Sequence, residues 1–361
     1  MIRRATVRSL AKLNLDLRVL HKRMDGFHEL RTVFQTISLA DTLAIEFEPG
    51  RRSSIHADVI ADGETLDIPD NLVVRAAQLV MDAAKVKGRA SFRLNKTIPM
   101  GGGLGGGSSN AAAVLLALPA LMGRAVPYEK LMEMGASLGS DVPFFLEGGT
   151  SLAVDRGTEI YPLADIAEEP ILVIASGIHV ETGPAYKALN REVLNLGAEA
   201  GGKSDLRGQS LTPPVGPAKL TSPDLSRRIN SFQCFVRALG EVRSAKAASA
   251  FSANDFEPAA FGQHPPLKRL ADKLRKHAGP GGAVGARMTG SGSTLFAIFG
   301  SIAERDAAGK SLQYDRVFGG CRVIPARLVS RRSYRRLWFQ QLAGHVDSDK
   351  GLWPPQSRHE R

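Results

Sequence analysis

Cysteine is almost absent: Cys234 and Cys321 stand alone in 361 residues, with no Cys-x-x-Cys pair and no Cys/His cluster. That excludes a disulfide framework and a thiolate zinc site, and it fits a reducing cytoplasm. No run approaches the ~20 apolar residues of a membrane span, and the first residues lack the apolar stretch of a secretory signal. Neither a membrane partner nor a cleaved leader is expected, and no obligate protein partner is evident. Lysine is missing where one nucleotide motif would need it: none lies between Lys96 and Lys130, around a run of glycines. A Walker A loop is therefore excluded.

That run is Pro99-Met100-Gly101-Gly102-Gly103-Leu104-Gly105-Gly106-Gly107-Ser108-Ser109-Asn110, with six glycines in seven positions. It falls between an alternating stretch, Ser91 to Leu94, and an Ala/Leu-rich helical run, Ala111 to Leu121. Glycine permits sharp turns and lets several N–H groups aim at one anion. Ser108, Ser109 and Asn110 are helix-capping types, and the helix they open adds free N–H groups and a positive dipole end. A phosphate is the natural occupant. Gly101-x-Gly103-x-x-Gly106 also meets the dinucleotide fingerprint literally, but six glycines satisfy many patterns, and that fingerprint expects a ribose-binding acid about 20 residues later. A flexible linker is the plain alternative, which a tight position between strand and apolar helix disfavours.

The chain is long enough for two domains on a prior of ~150 residues each, and its 43% apolar content can build a full core. Leu13 to Leu20 alternates with period two, so Leu13, Leu15, Leu17 and Val19 face a core while Lys12, Asn14 and Asp16 share the other face. On spacing alone, that polar face is more ordinarily solvated. Asp25-Gly26 is a turn signal that puts Phe27 and His28 at a hairpin tip, before a returning strand from Glu29 to Leu39. A helix from about Asn71 to Val86 carries Asp70 as candidate cap and one apolar face. Tyr128 to Leu138 makes another helix, followed by Ser140-Asp141-Val142-Pro143. Asp141 reads locally as a helix cap ahead of a proline; as a buried carboxylate it would need a cation, for which Lys12 is a candidate.

In the second half, Ile171 to Ala175 is β-type, Asn190 to Asp224 reads as an irregular insertion, and Leu267 to His277 as a basic helix. Met288-Thr289-Gly290-Ser291-Gly292 opens a second glycine/serine loop that could brace the first, touch a substrate or equally be a tight turn. The net charge of +11 suits a polyanionic partner. Beyond Pro325, however, eight basic residues face three acidic ones and supply +5 of it, so the body is far less basic. The segment 327–361 reads as a solvated, disordered tail. The nucleic-acid reading, a basic RNA-binding module, weakens accordingly.

Ala11-Lys12-Leu13-Asn14-Leu15, Arg23-x-Asp25-Gly26-Phe27-His28-Glu29-Leu30, Pro99 through Asn110, Gly139-x-Asp141-Val142-Pro143 and Met288 to Gly292 together resemble the 4-diphosphocytidyl-2-C-methyl-D-erythritol kinase family of the GHMP kinase superfamily. The resemblance implies an α+β fold in two domains: one similar to ribosomal protein S5 domain 2 over residues 1–165, and a ferredoxin-like one over 166–326. Pro99, Met100, Gly101, Gly102, Gly103, Leu104, Gly105, Gly106, Gly107, Ser108 and Ser109 would hold the ATP phosphates in a cleft between the domains. Asp141 would take the proton of the substrate's 2-hydroxyl as that oxygen attacks the γ-phosphate, and Lys12 would offset charge beside it. Asn14, Phe27 and His28 would contact the cytidyl-diphosphate sugar-alcohol substrate, with Phe27 standing where the family commonly has Tyr. Mg²⁺ would accompany ATP on ligands the sequence does not identify. The implied role lies in the non-mevalonate isoprenoid route.

Overall fold

A computed structural model describes residues 1–191, 223–277, 286–347, 352–355 and 357. The strands are β1 (Arg3–Lys22), β2 (His28–Pro49), β3 (Ser54–Ala61), β4 (Glu64–Leu66), β5 (Gly88–Lys96), β6 (Thr150–Val154), β7 (Glu159–Pro162), β8 (Pro170–Ala175), β9 (Ala286–Met288), β10 (Leu295–Ile298) and β11 (Arg322–Arg327). The helices are α1 (Leu72–Ala83), α2 (Gly106–Met122), α3 (Tyr128–Leu138), α4 (Val142–Glu147), α5 (Thr182–Ala188), α6 (Pro223–Val242), α7 (Ala245–Ala248), α8 (Glu257–Gln263), α9 (Pro265–His277), α10 (Ile302–Gln313) and α11 (Arg331–Gln341). Of the expected insertion at 190–224, residues 192–222 lie outside the described residues.

Two sheets organise the chain. The first joins seven strands in the order β4-β3-β5-β2-β6-β7, with β1 along β2; the second is antiparallel, β11-β8-β10-β9. Together they give the expected α+β architecture. The hairpin of β1 and β2 turns at Gly26, whose φ of 88° suits glycine. There Asp25 Oδ1 accepts from Phe27 N at 3.1 Å and Arg23 N donates to Phe27 O at 2.7 Å. Phe27 and His28 thus stand at the tip, as the turn signal predicts.

The polar face of β1 is buried, which corrects the expectation of a solvated one. Lys12, Asn14 and Asp16 are 3%, 4% and 0% exposed. The cause is the second half of the chain, which packs on this face: Leu17 bridges to Asn254, and Ala253 N donates to Asp16 Oδ2 at 2.7 Å. β1 is therefore a wall shared by both sheets' layers.

Helix α1 also differs slightly from its reading. Asn71, not Asp70, is its cap, accepting from Val73 N at 2.9 Å, while Asp70 takes the left-handed φ of 54° just before it. Helix α2 is buried from Ser109 to Met122 and forms the spine of the first core, against β1, β2, α1 and α4.

The expected disordered tail is ordered over most of its length. β11 is the edge of the second sheet, Leu328 and Val329 are buried, and α11 lays Tyr334 and Trp338, 2% and 1% exposed, into the first core. Its apolar side chains recur at Tyr334, Leu337 and Trp338, the spacing of a helix face. Three of the segment's arginines are held in ion pairs: Arg331 and Arg335 with Glu147, and Arg327 with Glu168. Residues 348–351, 356 and 358–361 of that segment lie outside the described residues.

Candidate active site

The glycine run is a partly buried loop whose backbone alternates in hand, with left-handed φ values of 69°, 77° and 69° at Gly101, Gly103 and Gly105. Helix α2 starts at Gly106, earlier than the sequence suggests, so Ser108, Ser109 and Asn110 sit within its first turn rather than capping it. No side chain caps this N-terminus. The first amides of a helix lack intrahelical partners, so those of α2 are left facing the loop. A cleft of about 410 Å³ lies here, lined by the loop from Pro99 to Ser108 and by Ile68, Asn71, Leu72 and Lys96.

What holds the loop is a residue sequence reasoning missed. Asp41 of β2, fully buried, pairs with Lys96 and accepts from Thr97 N at 2.7 Å, Ile98 N at 2.8 Å and Asn110 Nδ2 at 3.0 Å. One carboxylate thereby ties both ends of the loop to the sheet. The signal that could have found it is an acid inside the apolar strand pattern Leu39-Ala40-Asp41-Thr42-Leu43, since a buried carboxylate must be compensated. Ser109 adds a bond from its hydroxyl to Leu10 O at 2.6 Å.

The second glycine loop braces the first. A Cβ on Gly103 would lie 2.5 Å from the Thr289 carbonyl oxygen, and one on Gly290 would lie 3.1 Å from Gly103 Cα. Only glycine permits that approach. Thr289 Oγ1 also accepts from Asn14 N at 2.9 Å, and Gly290 N donates to Asn14 Oδ1 at 2.9 Å.

Beyond the loop, a second cavity of about 190 Å³ is lined by Lys12, Asn14, Asp141, Arg156, Tyr186 and Gly290 among others. Gly103 lines both cavities. Lys12 Nζ stands 3.3 Å from Asp141 Oδ2; its side chain is 4% exposed, that of Asp141 31%. Lys12 also donates to Asn14 Oδ1 at 2.8 Å and lies 4.9 Å from the Phe34 ring centroid. Asp141 occupies the cap position of α4, yet its carboxylate makes no cap bond. The local reading as a helix cap is thus not realised, and the carboxylate faces the cavity with Lys12 as partner.

Asn14 is largely committed inside the protein. Its Oδ1 accepts from Lys12 and Gly290, and its Nδ2 donates to Thr32 Oγ1 at 2.8 Å. At the outer end, Phe27 is 52% exposed under the Arg156 guanidinium, 4.7 Å away. His28 stacks on Tyr186 at 4.8 Å between centroids. Burial, then the charges of Lys22 and Arg191, lower the His28 pKa, so the ring is neutral at pH 7. Burial and then the Asp141 charge push the Tyr186 phenol up to about 12, so it keeps its proton. Neither Tyr186 nor Arg156 carries a local sequence signal. Among the described residues no group of three or more His, Cys, Asp and Glu could hold a metal, and no helix is long and apolar enough to cross a membrane.

A glycine-loop cleft in a fold of this kind is that of the GHMP kinases. The family model for the GHMP kinases N terminal domain matches residues 71–149, and that for the GHMP kinases C terminal matches 235–314. A 4-diphosphocytidyl-2-C-methyl-D-erythritol kinase of Solibacter usitatus is 44% identical over 357 residues, covering 99% of this chain and 98% of the relative. One of Pelotomaculum thermopropionicum is 35% identical over 81% of this chain and 88% of its own. A crystal structure of 4-(cytidine 5'-diphospho)-2C-methyl-D-erythritol kinase superposes with a TM-score of 0.63 at 31% identity, covering 91% of this chain and 99% of that one. Homoserine kinase from Cytophaga hutchinsonii reaches the same TM-score at 16% identity, a likeness of fold alone. The chain belongs to the 4-diphosphocytidyl-2-C-methyl-D-erythritol kinase family, and it is a kinase.

Proposed function

We propose that this kinase transfers the γ-phosphoryl group of ATP to the 2-hydroxyl of 4-diphosphocytidyl-2-C-methyl-D-erythritol, in the non-mevalonate route to isoprenoids. The observation that carries the reading is that Gly103 lines both cavities, with the Lys12–Asp141 pair in the wall of the second. One cavity offers uncapped amides and glycine backbone to a triphosphate; the other offers aromatic rings, an arginine and a carboxylate to an alcohol-bearing diphosphate. Residues Pro99 to Ser109 hold the phosphates of ATP.

Phosphoryl transfer depends mainly on positioning and charge stabilisation. Asp141 accepts the hydroxyl proton while the oxygen bonds to γ-phosphorus, and ADP leaves with the electrons of the broken bond. Lys12, desolvated and anchored by Asn14, offsets charge on the reacting oxygens. Asn14 acts through its grip on Lys12 and the second loop. The Phe27 ring stacks on the cytosine, Arg156 faces the diphosphate, and neutral His28 on Tyr186 donates one ring N–H to the base.

Mg²⁺ suits this site as an ion carried by the nucleotide, since that metal takes few protein oxygens and keeps its waters. Carried in this way, the ion would supply charge neutralisation to the transferring phosphates. The Ser108 hydroxyl, in the lining of the glycine-loop cleft, would offer it a neutral oxygen. The test incubates purified protein with Mg-ATP and the cytidyl substrate and follows ADP release together with a new phosphomonoester signal in ³¹P spectra. Turnover of another alcohol with none of this one would overturn the substrate assignment.

A further inference from the structure

We propose that the C-terminal segment, outside both matched domains, is a clamp that fixes the position of Asp141, with Tyr334 and Trp353 as positioning residues. The inference rests on the reading of Asp141 as the proton acceptor. It starts from α4, the short helix that carries Asp141 at its N-terminus.

Six residues make a helix that is not stable on its own, and its last carbonyls need partners from elsewhere. The C-terminal segment supplies them. The Tyr334 hydroxyl donates to Phe145 O, and Trp353 Nε1 donates to Leu146 O at 2.8 Å. The terminal side chain of α4, Glu147, is 9% exposed and is gripped by Arg335 at 2.7 Å, Arg331 at 3.0 Å and the Tyr128 hydroxyl at 2.8 Å. Two arginines at this end also face the negative pole of the helix.

The exit of α4 is fixed by the same segment. Gly148 and Gly149 are both left-handed, and they press on the Tyr334 ring and the Arg331 backbone so closely that a Cβ on either would overlap. Helix α4 therefore cannot slide toward its C-terminus while α11 is in place. At its other end the Asp141 carboxylate has no bond to its own helix, so the placement of α4 sets the Lys12–Asp141 distance. A helix of this length spans about 9 Å, and displacing a reacting group by ~1 Å can lower turnover about a hundredfold.

The experiment uses the full chain, with Tyr334→Phe and Trp353→Phe singly and together; each keeps a ring in the core and deletes one donor. A control, Val80→Ala, loosens the same core on α1, away from α4. With Mg-ATP and the cytidyl substrate at least 15 °C below each Tm, the double variant is expected to lose ten- to a hundredfold in kcat, with both KM values within about threefold of the parent. Val80→Ala keeps the parental kcat. Amide hydrogen exchange of the peptide spanning 139–147 speeds up in the double variant and not in the control. Parental kcat and parental exchange in the double variant overturn the clamp, as does a kcat loss that Val80→Ala reproduces at equal Tm. If the parent itself does not turn over this substrate, the substrate assignment falls and the exchange comparison alone decides the clamp.

Discussion

A lysine with 4% of its side chain exposed is tolerable only because Asp141, Asn14 and the Phe34 ring receive it. If the pair does the chemistry, Asp141→Asn should lower kcat by about 10²–10⁴ with ATP binding retained, the range of general-base catalysis. Lys12→Met should lose a similar factor, and the double variant should be little worse than either, because groups acting as a unit are not additive. Steady-state kinetics of the three proteins check this; multiplying losses would separate the two residues. Asp16 is a different case. Burial pushes its pKa up to about 6, against the opposing pull of Arg18. A folded-state pKa above the unfolded 3.8 means the native protein holds the proton more tightly, so this group's stability is full below pH 3.8 and is lost as pH rises through 6. Between pH 4 and 6.5 the parent should lose about 2 kcal/mol more than Asp16→Asn does, read from urea unfolding at both pH values.

At the scale of elements, two glycine loops from opposite halves of the chain meet backbone to backbone, and β1 runs beside both. Gly103→Ala would put a Cβ 2.5 Å from the Thr289 carbonyl and force alanine to a φ of 77°. It should raise the KM for ATP at least tenfold and lower Tm by several degrees, about 1–3 kcal/mol in a domain of this size. Gly262→Ala in α8, with nothing within 4 Å of the added Cβ, should leave both unchanged or raise Tm slightly. The contact itself could not be read ahead of the structure, because it joins residues 103 and 290, and period-two alternation carries no information at that range. Local signals did locate the hairpin turn at Asp25-Gly26, the strand before the glycine run and α3 to the residue, since each is decided by neighbours. The burial of Lys12, Asn14 and Asp16 was not legible, because a polar strand face looks the same whether water or a second sheet's loops cover it. Asp41 escaped for the same reason: its donors at 96–98 and 110 lie across the fold.

The whole molecule closes through its last described residues. Arg331-Arg332-Ser333-Tyr334-Arg335-Arg336-Leu337-Trp338 reads as a charged tail when composition is summed, yet its partners Glu147, Asp165 and Glu168 stand more than 150 residues upstream. A hydrogen-bonded Glu168, its pKa lowered by the Ser333 and Ser330 contacts and by Arg327 despite the opposing effect of burial, fixes the start of α11 from the first half of the chain. Ending the chain after Arg327 would therefore remove Val329, Tyr334, Trp338, Leu342 and Val346 from the core they share with α2 and α4, and Leu328 from the core beside β8. Loss of one large aromatic from a core costs about 3–5 kcal/mol, and leaving Glu147 buried without its arginines costs a similar amount. Their sum rivals the whole stability of a typical domain, about 5–15 kcal/mol. The truncated protein is expected to be insoluble or to melt more than 10 °C below the parent. Ending it after Asp347 keeps α11 and its arginines but removes Trp353, so that form should fold, melt a few degrees lower and turn over slowly. Thermal unfolding and kcat of both truncations decide the matter: a chain stopped at Arg327 that melts with the parent would make α11 an appendage rather than part of the core.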